Sequence, residues 1–247
     1  MVNFWRLVNK VIKQADIILL VLDSRMPELT RNRELEQKIA DKKFIYVLNK
    51  CDLITDENMK KISKEYVPSI FVSSRLKFGG TLLYKKIMEI SKGENCTVGV
   101  IGYPNVGKSS VINLLKGRKS ASISSQAGHT RGIQFVSAKG KIKLIDTPGV
   151  LEFSEKEFMK QILIGSRNPQ HVKETDYFAA KLIEQFPEMF EKHCNMEYKK
   201  DPYDFLEKVA LRDNILIKGG KADMLRIGRK LLQDWQKGKV HENFLEK

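Results

Sequence analysis

NKCD, at Asn49–Asp52, stands ahead of GYPNVGKS, at Gly102–Ser109, and DTPG follows at Asp146–Gly149. The first closes a β-rich apolar run, Phe44–Leu48. The second follows another, Thr97–Ile101, and leads into a helical pattern. The third ends Lys141–Ile145. A glycine-bearing turn between a strand and a helix is where backbone N–H groups close on phosphates. A strand-end carboxylate can accept two parallel hydrogen bonds from one purine edge. Both chemistries are in this chain, with the base motif ahead of the phosphate loop. The familiar order is the reverse.

In the phosphate loop, Gly102 and Gly107 let the backbone approach closely. The amides of Asn105, Val106, Gly107, Lys108, Ser109 and Ser110 are expected to form an anion nest. Lys108 is placed to reach the β- and γ-phosphates, and the Ser109 hydroxyl to ligate Mg²⁺. Asp146 is the second expected metal residue, acting through water. The Gly149 amide can sense the γ-phosphate and its loss. Thr130, within QAGHTRG (Gln126–Gly132), is the expected switch threonine, contacting Mg²⁺ and the γ-phosphate. Lys108, Thr130 and Gly149 make up the expected catalytic set.

On the base side, the Asp52 carboxylate can accept guanine N1–H and the exocyclic N2–H₂. Adenine offers neither, so the pair becomes a large discrimination. Asn49 is expected to contact the other base edge or to tie the loops together, and the Lys50 stem to lie over the base. Ser73 and Ser74, in SSR at the end of Ile70–Val72, resemble the SAK signature, with the Ser74 amide meeting the guanine O6. Arg75 departs from that pattern, which has lysine there.

Apolar runs alternating with helical patterns predict an α/β sandwich with a mostly parallel sheet. The strands are Ile17–Leu22, Phe44–Leu48, Ile70–Val72, Thr97–Ile101 and a hairpin, Gln134–Ala138 with Lys141–Ile145, about Gly140. Residues 3–14 carry Phe4, Leu7, Val8, Val11 and Ile12 at helical spacing. Past Asn168–Pro169 the pattern is helical. One stripe, Phe178, Leu182, Ile183 and Phe186, stops at Pro187. Asp201–Pro202 looks like a cap and first helical position. After a Gly219–Gly220 break, a last helix carries Leu225, Leu232 and Trp235. The expected division is 1–166 and 167–247.

The 247 residues carry a net charge of +14. Residues 167–247 hold 16 Lys and Arg against 14 Asp and Glu, so nearly all the excess lies in the first unit. A basic field favours nucleic acid or another polyanion. Arg226, Arg229, Lys230 and Lys237 on the last helix, and Lys139, Lys141 and Lys143 on the hairpin, are candidate RNA-tracking patches. No apolar run nears the roughly 18 residues of a membrane span, and the N-terminus lacks the features of a signal peptide. Cys51, Cys96 and Cys194 are scattered and suit a reducing cytosol. These features predict a cytoplasmic monomer that does not enter a membrane.

The order base motif, SSR, phosphate loop, switch threonine, DTPG resembles the circularly permuted GTPases of the YlqF/YawG type, which work in ribosome assembly. VLDSRMP (Val21–Pro27), AGHTRG and LIKGG (Leu216–Gly220) extend the likeness over nearly the whole chain. The resemblance implies a P-loop GTPase fold with a permuted, mostly parallel six-stranded sheet and a small helical C-terminal domain. Ser91–Cys96 would join the two ends of an ordinary nucleotide domain. It also implies GTP and GDP as ligands, hydrolysis of GTP, and a ribosomal subunit and rRNA as partners, the large subunit foremost. Other settings left open are tRNA modification, small-subunit maturation, and an RNA-docking scaffold with negligible turnover. Val150 stands where many GTPases carry a water-orienting glutamine, which implies slow hydrolysis until a partner completes the site. His129 lies beside the switch threonine. Asn105 stands where potassium-stimulated relatives carry a K⁺ ligand; a turn-favouring asparagine is the alternative.

Overall fold

The computed structural model describes residues 4–116, 134–138, 140–146, 158–165 and 167–242. His129, Thr130, Lys139, Gly149 and Val150 lie outside the described residues, as does all of QAGHTRG and the last three residues of DTPG. The chain divides into two compact units, Met1–Glu152 and Phe153–Lys247.

The first unit is built on strands β1 (Ile17–Asp23), β2 (Lys43–Asn49), β3 (Ser69–Val72), β4 (Cys96–Ile101), β5 (Gln134–Ser137) and β6 (Ile142–Asp146). They form one six-stranded sheet in the order β3-β2-β1-β4-β6-β5. Five strands run parallel, and β5 pairs antiparallel with β6. The exception follows from the connections. A short turn can join only antiparallel neighbours, and each parallel pair needs a crossover. The expected six-stranded, mostly parallel sheet is therefore present.

All seven residues of β1 are buried, as a central strand covered on both faces requires. Alternation sends Ile18, Leu20 and Leu22 to one face, where Val8 and Val11 of α1 (Phe4–Gln14) meet them. Two short helices, α2 (Pro27–Thr30) and α3 (Arg33–Lys38), follow β1, and Leu35 joins this core. Helix α4 (Asp56–Glu65) adds Ile62 at its margin. Helix α5 (Gly80–Ile90) links the β3 side to β4, and α6 (Lys108–Lys116) follows β4. In register, Asp23 pairs with Asn49, Asn49 with Val72, and Val100 with Asp146. The strand ends that carry the motifs therefore share one sheet edge, the carboxyl edge, where open α/β sheets hold their ligands.

The second unit contains α7 (Phe158–Leu163), α8 (Thr175–Gln185), α9 (Pro187–Cys194), α10 (Pro202–Arg212) and α11 (Met224–Gln236). Pro187 does more than stop α8. It opens α9, because a proline's missing N–H costs nothing at a first helical position. Asp201 caps α10 through the amides of Tyr203 and Asp204, and Asp223 caps α11 through Arg226 N–H. Helix α11 lies so close to α8 that a Cβ on Gly228 would strike the Thr175 backbone. The Thr175 hydroxyl closes this contact by donating to Leu225 O at 2.6 Å.

Trp235 is fully buried. Its ring stacks on Phe186 and Phe190, with centroids 4.8 and 6.3 Å away. Its indole N–H donates to Leu163 O at 2.8 Å. That bond, with Gln236 donating to Ile162 O and Arg167 O, draws α7 into this unit, so the division falls ahead of α7 rather than at 166/167. Trp235→Ala removes this centre and is expected to destabilise the helical unit by about 3–5 kcal/mol. Urea denaturation of the native and variant whole chains, followed by far-UV circular dichroism of the helices, checks it.

Candidate nucleotide site

The loop Gly102–Gly107 joins β4 to α6. Three of its residues take positive-φ backbone, Gly102 at φ 153°, Asn105 at φ 61° and Gly107 at φ 97°. Asparagine tolerates this region better than most residues, which gives Asn105 a local reason to be there whatever it binds. At Gly107 the reason is also steric, since a Cβ would run into the Asn49 side-chain amide. Lys108 opens α6, is 7% exposed, and folds back to donate from Nζ to Tyr103 O at 2.7 Å. Its ammonium thus spans the loop whose amides would face phosphate. Ser109 is exposed and Ser110 partly buried in the first turn, where helix N–H groups have no carbonyl four residues back.

Asn49 fastens this loop to the base motif. It is 2% exposed. Its Nδ2 donates to Val106 O at 2.7 Å, and its Oδ1 accepts from Ser74 N–H at 3.3 Å and Ser74 Oγ–H at 3.0 Å. Of the two roles open to Asn49, tying the loops is the one its contacts perform. The Ser74 N–H, expected to meet a base O6, is directed at Asn49. Buried Ser73 shapes the next turn, its Oγ accepting from Leu76 N–H at 3.1 Å. Asp52 has a side chain only 5% exposed, and its Oδ2 accepts from Arg75 Nη2 at 2.9 Å and Nε at 3.1 Å. The neighbouring Cys51 thiol is pushed up to about 11 by burial and stays protonated at neutral pH.

Lys50 sits in left-handed backbone at φ 62°. Its ammonium is held by Asp23 Oδ2 at 2.7 Å. Asp23, 1% exposed, also accepts from Arg25 Nη2 at 2.9 Å, Nε at 3.2 Å and its backbone N–H at 3.1 Å. Burial alone would raise this carboxyl; the charges and hydrogen bonds of Arg25 and Lys50 outweigh it and hold the group far below the usual carboxylate range. Neither the base motif nor the phosphate loop points to Asp23 or Arg25. The signal was a strand-end Asp-x-Arg in VLDSRMP, but its partner Lys50 is 27 residues away and becomes a neighbour only through the β1–β2 register.

For Mg²⁺ the fit rests on donor chemistry. Ser109 and Asp146 are hard oxygen donors on α6 and β6, next to the phosphate loop. Among the described residues no group of three or more His, Cys, Asp or Glu could cage a metal. Mg²⁺ usually keeps several waters and takes one or two protein oxygens beside substrate phosphates, so it needs no such cage.

Asp23→Asn leaves Arg25 and Lys50 facing each other without their anion and is expected to cost about 3–5 kcal/mol. The folded carboxyl is depressed, so its contribution is complete above the unfolded value near 4 and fades only as pH falls below it. Chemical denaturation of native and D23N chains therefore gives a stability difference that is flat from about pH 8 to 5 and shrinks below about pH 4.

The family described as 50S ribosome-binding GTPase matches residues 97–198. An uncharacterized GTP-binding protein of Methanocaldococcus jannaschii is 37% identical over 247 residues, covering 96% of this chain and 65% of that protein. Nucleolar GTP-binding protein 2 of Saccharomyces cerevisiae is 32% identical over 256 residues, covering 96% of this chain and 52% of its own length. This chain thus spans roughly half to two-thirds of these relatives. Among solved structures, GNP-bound YlqF from T. maritima aligns with TM-score 0.67 at 24% identity, over 96% of this chain and 94% of that one. The GDP-bound form gives 0.68 at 24%, over 97% and 98%. The chain is related over nearly its whole length to these GTP-binding proteins and has, in circularly permuted order, the P-loop GTPase fold of YlqF.

Proposed function

We propose that the protein binds GTP and hydrolyses it to GDP and phosphate as a switch in assembly of the large ribosomal subunit. The observation that carries the reading is the Asn49 side chain, which joins the NKCD strand end, the SSR turn and the phosphate loop at one sheet edge. Asp52 reads the guanine edge, the Lys50 stem lies along the base, and Asn49, Ser73 and Ser74 hold the pocket's shape. Amides from Asn105 to Ser110 and the Lys108 ammonium take the phosphates. Lys108 draws off charge that develops on the β–γ bridge during in-line attack by water. Thr130 and Gly149 are assigned the γ-phosphate. Ser109, Thr130 and Asp146 would hold Mg²⁺, which supplies charge neutralisation when bound.

Turnover is slow alone, because Val150 cannot orient water; an activating partner supplies roughly 10³–10⁵ in rate. Asn105 is the candidate K⁺ ligand. The net +14, concentrated ahead of residue 167, and the naming of relatives as 50S ribosome-binding or nucleolar support rRNA and the large subunit as partners. Arg226 and Lys237 are exposed on and just past α11, whereas Lys230 is engaged by Asp213 at 2.7 Å. Lys141 donates to Gly93 O at 2.7 Å. Phosphate tracking along α11 therefore falls mainly to Arg226 and Lys237. No helix among the described residues is long and apolar enough to cross a membrane. We assign the protein to the cytoplasm as a monomer. Val150 keeps one second reading, an RNA-docking scaffold that holds GTP with negligible turnover.

Asp52→Asn should weaken GTP roughly 100-fold or more, since two hydrogen bonds to a charged acceptor are worth about 1.5–3 kcal/mol each, and should favour xanthine nucleotides. Calorimetric titration reads both; unchanged GTP affinity removes Asp52 from the base site. Phosphate release measured with purified large or small subunits, in KCl and in NaCl, tests the rest. Acceleration by the large subunit supports the switch, and none by either subunit supports the scaffold. Equal rates in the two salts remove the K⁺ role.

A further inference from the structure

Arg75 breaks the SAK-like pattern, and its guanidinium lies on the base-reading carboxylate. Both of its donors land on one oxygen, Asp52 Oδ2. A guanine edge presents N1–H and N2–H₂ side by side and takes both oxygens of a carboxylate. Arg75 and the base therefore compete for Oδ2. The burial of the pair is lopsided, with the Asp52 side chain 5% and the Arg75 side chain 66% exposed. The carboxylate is fixed while the guanidinium sits at the end of a solvated arm.

The turn that carries the arm is itself pinned. Ser73 N–H donates to Phe78 O at 3.2 Å, Phe78 N–H to Ser73 O at 3.0 Å, and Ser74 is tied to Asn49. Release then needs only side-chain rotation, with no rearrangement of the pocket walls. An ion pair with one exposed partner is screened by water and salt and is weak enough to be exchanged for a ligand.

We propose that Arg75 is a displaceable latch on Asp52, and that its release is a step in nucleotide entry. The latch rests on the reading of Asp52 as the guanine acceptor. It predicts a direction opposite to the ordinary effect of a cation near an anionic ligand. Electrostatic steering by Arg75 would speed association; a latch slows it.

The test is stopped-flow association of a fluorescent GDP with the full chain, native and Arg75→Ala, at low salt. The same substitution is then made in a D52N background with the xanthosine analogue. The latch predicts that R75A speeds association about two- to fivefold, the worth of a surface ion pair. R75K, lacking the planar fork, falls between. In the D52N background R75A changes nothing, because an amide holds a guanidinium weakly. Slower association, faster dissociation or no change with R75A in the otherwise native chain overturns the latch and leaves the base site standing. An equal R75A effect in both backgrounds also overturns it. GDP binding unaltered by D52N overturns the base-site reading and the latch with it. Thermal melting of R75A checks that the exposed substitution leaves the fold intact.

Discussion

One buried amide sets the geometry of the sheet's carboxyl edge. Asn49 ends β2 in register with Asp23 of β1 and Val72 of β3, so the sheet fixes its position. From there it donates to Val106 O and accepts from Ser74. Three segments far apart in sequence are held by a side chain that is both donor and acceptor. Aspartate could not donate to Val106 O, and leucine would leave buried polar groups unpaired at about 1–3 kcal/mol each. Gly107 belongs to the same constraint, because the space a side chain would need there is filled by the Asn49 amide.

That clamp does not depend on the order of its segments along the chain. The strands that lead to NKCD and SSR, β1 to β3, come first, and those that lead to GYPNVGKS and DTPG, β4 to β6, come second. The halves meet along β1 and β4, paired from Ile17 with Val98 to Leu20 with Ile101. Hydrogen bonds across that seam are indifferent to which half was made first. What changes is the covalent path, which runs through α5 and a tight turn where Lys92 and Gly93 take left-handed backbone. With strand ends close in space, joining them there and opening the chain elsewhere leaves the sheet untouched.

Most of this was legible because it is local. The strands of the sheet, α1, α10 and α11 follow from periodicity and caps, and the phosphate loop follows from glycine spacing between a strand and a helix. The choice between two roles for Asn49 was not legible, since it depends on which backbone groups come within 3 Å. Asp23 and Arg25 were visible only as part of a resemblance, because their partner Lys50 is supplied by strand register. The grouping of α7 with the later helices was hidden for a similar reason. It turns on one indole N–H reaching Leu163 O across 72 residues of chain. Trp235 was placed on its helix from spacing, but spacing does not say what its ring nitrogen will find.

Two carboxylates beside the Asn49 clamp have opposite circumstances. Asp23 is sealed between Arg25 and Lys50, its charge satisfied from several directions, and its pKa is driven far down. Such a network is costly to break and does not exchange, so it serves as framework: it fixes the ammonium of Lys50 and with it the path of the stem. Asp52, three residues after Asn49, is nearly as enclosed but is met from the solvent side by a guanidinium on a flexible arm. An anion held by a buried guanidinium and a half-buried ammonium has little capacity left for a ligand. One whose cation is solvated can release it at small net cost, because the departing arginine regains water. The difference between the two carboxylates lies in the exposure of the partner cation, since both acids are aspartates at or just past the ends of neighbouring strands.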